Sequence, residues 1–178
     1  MHKYIITGAP GTGKTSIINE LKNRKYKIFE EVPRRLITEN IPEKHGINPF
    51  INLKDFAKLV FDEMYKQYTV SEQENNICFF DRGLPDVFAY LLESNIDIPN
   101  NYYANYNKCN YNKTVFICPP WQSIYISDSI RPYNFAEIIN LGNKITETYD
   151  SFGYNTLTLP LTSIKKRADI IINHIQNK

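Results

Sequence analysis

Gly8-Ala9-Pro10-Gly11-Thr12-Gly13-Lys14-Thr15 brings together the residue types that hold a polyphosphate. Glycines let backbone N–H groups turn inward and come close to a ligand. The N-terminus of a following helix adds its partial positive charge. The spacing fits G-x-x-x-x-G-K-[ST], the Walker A pattern. In that pattern Lys14 would reach the β- and γ-phosphates, and the Thr15 hydroxyl would bind Mg²⁺. Gly8, Ala9, Pro10, Gly11, Thr12, Gly13, Lys14, Thr15 and Ser16 are therefore the candidate nucleotide-binding residues, with ATP and Mg²⁺ as the expected cofactors.

Two further clusters pair acids with arginines at the ends of apolar runs. Tyr26-Lys27-Ile28-Phe29 leads into Glu30-Glu31-Val32-Pro33-Arg34-Arg35, and Ile77-Cys78-Phe79-Phe80 leads into Asp81-Arg82-Gly83-Leu84-Pro85-Asp86. In open α/β sheets, ligands bind at the carboxyl ends of strands. Asp81 has the place of a Walker B acid, able to hold the Mg²⁺ shell or to take a proton from an acceptor hydroxyl. Arg82 beside it is suited to a substrate anion. Further along, Trp121 follows Pro119-Pro120. It either stacks on a ring of the ligand or packs the proline turn. Arg131 lies between an apolar run and the next helix, where small kinases carry a lid arginine for the migrating phosphoryl group.

The elements that must position these residues read as alternating strands and helices. Apolar runs at 3–7, 26–29, 77–80, 114–118 and 155–159 are expected strands. Helical spacing follows the first run in Ile17, Ile18 and Leu21. It recurs in Leu53, Phe56, Ala57, Val60, Met64 and Tyr68, in Val87, Phe88, Leu91 and Leu92, in Phe135 to Phe152, and in Ile164 to Ile175. Asn134 with Glu137 has the form of a capping box, and Gly153 is placed to end its helix. Residues 40–52 are polar, carry Pro42, Gly46 and Pro49, and read as a loop. Residues 95–112 are rich in Asn and Tyr without a clear period, which suits a lid or an excursion. Alternation of this kind implies right-handed crossovers and a parallel sheet covered on both faces.

Composition narrows the class. The chain has 178 residues, enough for one domain with its own core. A net charge of +2 gives no overall basic field for nucleic acid. Lys165-Lys166-Arg167 reads as the solvated face of a helix. No apolar stretch is long enough to span a bilayer, and the short run before the Walker pattern is not expected to be a signal peptide. Cys78, Cys109 and Cys118 are odd in number and lack metal or redox spacing, so reduced thiols and a cytoplasmic location are expected.

Taken together, Gly8 to Thr15, Glu30 to Arg34, Asp81 to Asp86, Pro119-Pro120-Trp121 through Tyr125, Asp128 and Arg131, and the closing Tyr149, Gly153-Tyr154 and Arg167 resemble a bacterial family. It is the family of small AAA-domain P-loop ATPases, relatives of the ribosylnicotinamide-kinase domain and, more distantly, of deoxynucleoside and thymidylate kinases. The resemblance covers nearly the whole chain. It implies a single three-layer P-loop domain over 1–178, with a five-stranded parallel sheet in the order 2-3-1-4-5. It also implies that Glu31 with Arg34 serves as base or substrate ligand, and that Asp81 with Arg82 handles metal and substrate phosphate. Glu30, Arg34, Arg82, Asp86 and Trp121 are the candidate substrate-binding residues; Lys14, Glu31, Asp81, Arg82 and Arg131 are the candidate catalytic ones. Which of Glu30 and Glu31 faces the site depends on strand register.

Two functions fit these residues. One is Mg-ATP-dependent phosphoryl transfer to a small, nucleoside-like acceptor. The other is a nucleotide-dependent switch that hydrolyses slowly and binds a protein or lipid. Two acid-plus-arginine clusters exceed what a hydrolase needs and favour the first. A GTPase fits less well, because the base-reading Asn-Lys-x-Asp run is absent after the fourth apolar run; Asn107-Lys108-Cys109-Asn110 precedes it and lacks the Asp.

Overall fold

In a computed structural model of the chain, residues 2–48, 50–126 and 133–177 are described. The expected alternation is present. β1 (Lys3–Thr7) leads through the Walker residues into α1 (Lys14–Asn23), and β2 (Lys27–Phe29) into α2 (Val32–Thr38), α3 (Ile41–Lys44) and α4 (Leu53–Ser71). β3 (Cys78–Asp81) is followed by α5 (Leu84–Glu93) and α6 (Asn100–Tyr106). β4 (Thr114–Ile117) is followed by a 3₁₀ turn (Gln122–Ile124) and α7 (Phe135–Ser151), and β5 (Asn155–Thr158) by α8 (Ile164–Gln176).

The five strands form one sheet in the order β2-β3-β1-β4-β5, and all four pairings are parallel. β1 is the centre, with its neighbours in sequence on neither side. Ile6 lies opposite Asp81 of β3, and Thr7 opposite Ile117 of β4. The carboxyl ends of β1, β3 and β4 therefore converge at the point where the order of connections reverses, which is where such sheets bind ligands.

Side chains alternate between two cores, as the pleat requires. Ile5, Phe80, Val115 and Ile117 face the layer made by α2, α4, α5, α6 and α7. Tyr4, Ile6, Phe79 and Phe116 face α1 and α8, meeting Ile17, Leu21, Ala168 and Ile171. No helix among the described residues is long and apolar enough to cross a membrane. Cys78, Cys109 and Cys118 are free thiols.

Two stretches depart from the sequence expectation. Residues 40–52 are not wholly a loop. Asn40 takes the left-handed conformation at φ 53°, breaking the chain after α2, and Pro42 sits in the first turn of α3. Residues 95–112 contain α6, whose Tyr102 and Tyr106 lie four apart on one face and are buried. Tyr102 stacks on Phe61 with ring centroids 4.0 Å apart, and Tyr106 meets Phe88 edge-on at 5.7 Å. Two buried positions in one short helix are too few to give a readable period among so many asparagines. The Asn134–Glu137 capping box forms as expected, with Asn134 N–H donating to Glu137 at 2.7 Å and Glu137 N–H to Asn134 at 3.0 Å.

Candidate active site

The Walker residues turn tightly between β1 and α1. Gly8, Gly11 and Gly13 hold φ of 141°, 72° and 81°, conformations that a side chain disfavours. A Cβ on Gly8 would lie 2.2 Å from the Cys118 carbonyl oxygen. Gly8→Ala therefore combines a strained φ with a backbone clash, and a stability loss of at least about 3 kcal/mol is expected in urea unfolding; a loss within 1 kcal/mol, roughly the range of surface changes, would contradict this packing. Lys14 is buried, with Nζ donating to the Ala9 carbonyl at 2.7 Å and lying 3.4 Å from Thr12 Oγ1. Thr12 Oγ1 also donates to Ala9 O at 2.9 Å.

At the end of β3, Asp81 and Arg82 diverge. Arg82 turns out of the strand with φ 79°, a left-handed value unusual for an arginine. Its buried guanidinium then donates three ways: Nε to Glu31 Oε1 at 2.8 Å, and Nη1 to Asp86 Oδ1 and to the Gly8 carbonyl, each at 3.0 Å. Arg82 thus ties the ends of β1, β2 and β3 together. The register gives the adjacent glutamates different partners. Glu31 is the one on Arg82, with its side chain 8% exposed. Glu30, 65% exposed, pairs with Lys22 of α1 at 2.7 Å and lines the outer part of the same open cleft as Glu31. Arg34 stands 4.0 Å from Glu31 Oε2.

Asp86, expected at the substrate, is engaged inside the protein instead. Oδ1 accepts from Arg82 and from Thr7 Oγ1; Oδ2 accepts from Gly83 N–H at 2.9 Å and Tyr149 Oη at 2.5 Å. Four donors fill the four lone-pair positions of a carboxylate, so Asp86 holds Arg82 and the ends of β1 and α5 in place.

Asp81 is buried, and its Oδ1 has no hydrogen-bond partner. Burial, reinforced by the nearby Glu31 charge, pushes its acid up to about 6. An open polar cleft is lined by Thr15, Asn19, Glu31, Arg34 and Asp81. Thr15 and Asp81 both line that cleft and carry oxygen atoms that can ligate a cation, and a hard cation that keeps several waters needs few protein ligands. On the other side of Arg82, an apolar pocket between α2, α4 and α5 is lined by Pro33, Phe56, Val60, Met64 and Tyr90. Arg82 forms part of its wall and leaves Nη2 without a partner.

Trp121 is half-buried at the start of the 3₁₀ turn. The residues of that turn that reach the Walker loop are others. A Cβ on Gly11 would meet the Tyr125 ring at 2.8 Å, and one on Gly13 would meet Ile124 at 3.3 Å. Arg131 and Asp128 lie outside the described residues.

A family profile described as an AAA domain matches residues 3–167. The chain belongs to this AAA-domain family. No curated protein matches it significantly. Among solved structures, this AAA domain is similar to a deoxyadenosine kinase from M. mycoides with products dCMP and a flexible dCDP bound. The identity is 16%, the match covers 99% of this chain and 100% of that one, and the TM-score is 0.65. It is similar to the NadR protein in complex with NR at 14% identity and TM-score 0.70, covering 96% of this chain and 50% of that one. It is also similar to thymidylate kinase from Ehrlichia chaffeensis at 12% identity and TM-score 0.67, covering 97% of both chains. At these identities the likeness establishes the P-loop kinase fold.

Three further residues reach the candidate site of the AAA domain: Tyr149, Tyr125 and Arg167. Tyr149 sits on the apolar stripe of α7, and only its hydroxyl reaches Asp86. Arg167, grouped with two lysines as a solvated charge run, is in fact 2% exposed. It falls on the stripe of Ile164, Ala168 and Ile171, and that spacing was the available signal.

Proposed function

We propose that this AAA domain is a Mg-ATP-dependent phosphotransferase that moves the γ-phosphoryl group to the hydroxyl of a small, ring-bearing, nucleoside-like acceptor. The observation that carries this reading is the Glu31–Arg82 pair. It stands between the polar cleft beside the Walker loop and a separate apolar pocket, and the second space gives a ring-bearing acceptor a place of its own.

In this reading the Walker amides and Lys14 hold the polyphosphate, exchanging the Ala9 carbonyl on Lys14 Nζ for phosphate oxygens. Thr15 and Asp81 would hold Mg²⁺, which supplies charge neutralisation at the phosphates when bound. The acceptor's body lies in the apolar pocket, with its hydroxyl toward Glu31. Glu31 takes the hydroxyl proton, and Arg82 Nη2 and Arg34 face the charge that develops on the transferring group. Arg131 is the expected lid contribution. Reduced thiols and phosphoryl transfer to a metabolite suit the cytoplasm.

Incubation with Mg²⁺ and γ-labelled ATP, with and without pooled nucleosides and small metabolites, tests the assignment. Label on an acceptor supports it. Label released only as free phosphate, at a rate the pool does not change, points to the switch instead.

A pH dependence follows from Lys14. Burial, with the Arg82 charge adding to it, lowers this amine to about 8. A bound phosphate favours the ammonium form and raises the value again. Well below pH 8 the amine is already charged and affinity is flat; above it, binding must recruit a proton. The dissociation constant for ADP is expected to rise about tenfold between pH 7 and 9. Calorimetry in buffers of different ionisation enthalpy should show proton uptake over that range. A flat profile without uptake would remove Lys14 from the phosphates.

A further inference from the structure

Among the described residues, Arg167 is a buried arginine that the proposed transfer does not use. It projects from the first turns of α8, a helix capped by Ser163 and anchored through Ala168, Ile171 and Ile175 in the core shared with α1. Its guanidinium lies behind the Walker loop. Nη1 donates to the Thr12 carbonyl at 3.3 Å and lies 3.2 Å from where a Gly13 Cβ would be. Nε and Nη2 are buried without a hydrogen-bond partner. Among the described residues no carboxylate pairs with it. Asp169, two residues on, is taken by Arg24 at 2.5 Å. Cys118 is a close polar neighbour, and burial pushes its thiol up to about 11, so it is neutral and supplies no charge.

A buried guanidinium with one neutral acceptor is costly on its own. The atoms it touches suggest what compensates it. In a trans peptide the C=O and the next N–H point in opposite directions. A guanidinium that fixes the Thr12 carbonyl therefore turns the Gly13 N–H away from itself, toward the side on which Walker amides receive phosphate. The hydrogen bond to the carbonyl also polarises that amide as a donor.

We propose that Arg167 is a positioning residue of the nucleotide site, which holds the Thr12–Gly13 peptide for phosphate binding and whose buried charge is balanced by the nucleotide's phosphates. The proposal rests on the nucleotide reading of the loop but not on transfer to an acceptor, so it is tested by binding alone. Full-length wild type and the variants Arg167→Met and Arg167→Lys are compared for MgADP and adenosine binding by calorimetry and for melting temperature without ligand.

Arg167→Met is expected to weaken MgADP about tenfold or more and to leave adenosine binding unchanged. Its ligand-free melting temperature should be unchanged or higher, because an uncompensated charge is gone. Arg167→Lys, which keeps the charge but not the fork, should fall between the two. It also serves if the methionine variant does not fold. A lower ligand-free melting temperature with unchanged MgADP affinity would make Arg167 merely structural and overturn the proposal. Equal weakening of adenosine and MgADP would overturn it as well, by moving its role to the nucleoside end. Failure of the wild type to bind MgADP would overturn both this proposal and the nucleotide reading; normal wild-type binding with unaffected variants would overturn this one alone.

Discussion

Lys14→Ala is expected to lower phosphoryl transfer by about a thousandfold or more while leaving the chain folded. The catalytic loss is large because phosphoryl transfer depends almost entirely on placed positive charge, and Lys14 is the ammonium at the centre of the Walker loop. Folding should survive for a local reason. The loop turn does not depend on the amine: Thr12 Oγ1 still donates to the Ala9 carbonyl at 2.9 Å, and the glycines keep their conformations. Removing a buried amine whose charged form is already disfavoured also takes away a desolvation cost. Circular dichroism and thermal melting would report the fold, and transfer of label from γ-labelled ATP the activity. A variant that melts like wild type and still consumes ATP at the wild-type rate would sink the assignment of the loop.

The second large effect falls on stability. Arg82→Met removes the cation shared by Glu31 and Asp86, whose side chains are 8% and 2% exposed. Two carboxylates are then left in a low-dielectric interior with their main counter-charge gone. Breaking such a pair from one side typically costs about 3–5 kcal/mol, a sizeable share of the roughly 5–15 kcal/mol that holds a domain together. The left-handed backbone at position 82 does not confuse the comparison, because arginine and methionine bear the same strain there. Urea unfolding should show the loss. The double variant Arg82→Met with Glu31→Gln should recover part of it, since the stranded charge is also removed. A loss below about 1 kcal/mol, the level of an exposed pair, would mean that the Arg82 network is not buried as described.

Much of this site could be read without a structure because its chemistry is contiguous in the chain. Gly8 to Thr15 forms a turn whose shape is set by its own glycines, so the residue types and their spacing mark the loop wherever it is placed. The place of Asp81 and Arg82 at the end of β3 was legible for a similar reason, since the apolar run that forms the strand stops at Phe80. Helices α1, α4, α5, α7 and α8 showed their stripes because each buries one face over several turns. The strand order came by resemblance, because pairing between segments dozens of residues apart leaves no local mark.

What tertiary structure alone decided were the directions of side chains and the identity of their partners. A shift of one residue in β2 would exchange Glu30 and Glu31, and only the pairing of Phe29 with Phe80 puts Glu31 on Arg82 and Glu30 on Lys22. Asp86 looked like a substrate ligand as long as Thr7 and Tyr149, 79 and 63 residues away, were not known to fill it. Arg167 looked solvated beside Lys165 and Lys166, although its place on the stripe with Ala168 and Ile171 pointed inward. The physical reason is the same each time. A residue's type and local period determine what it can do, but burial and hydrogen-bond partners across the sheet determine which of those things it does.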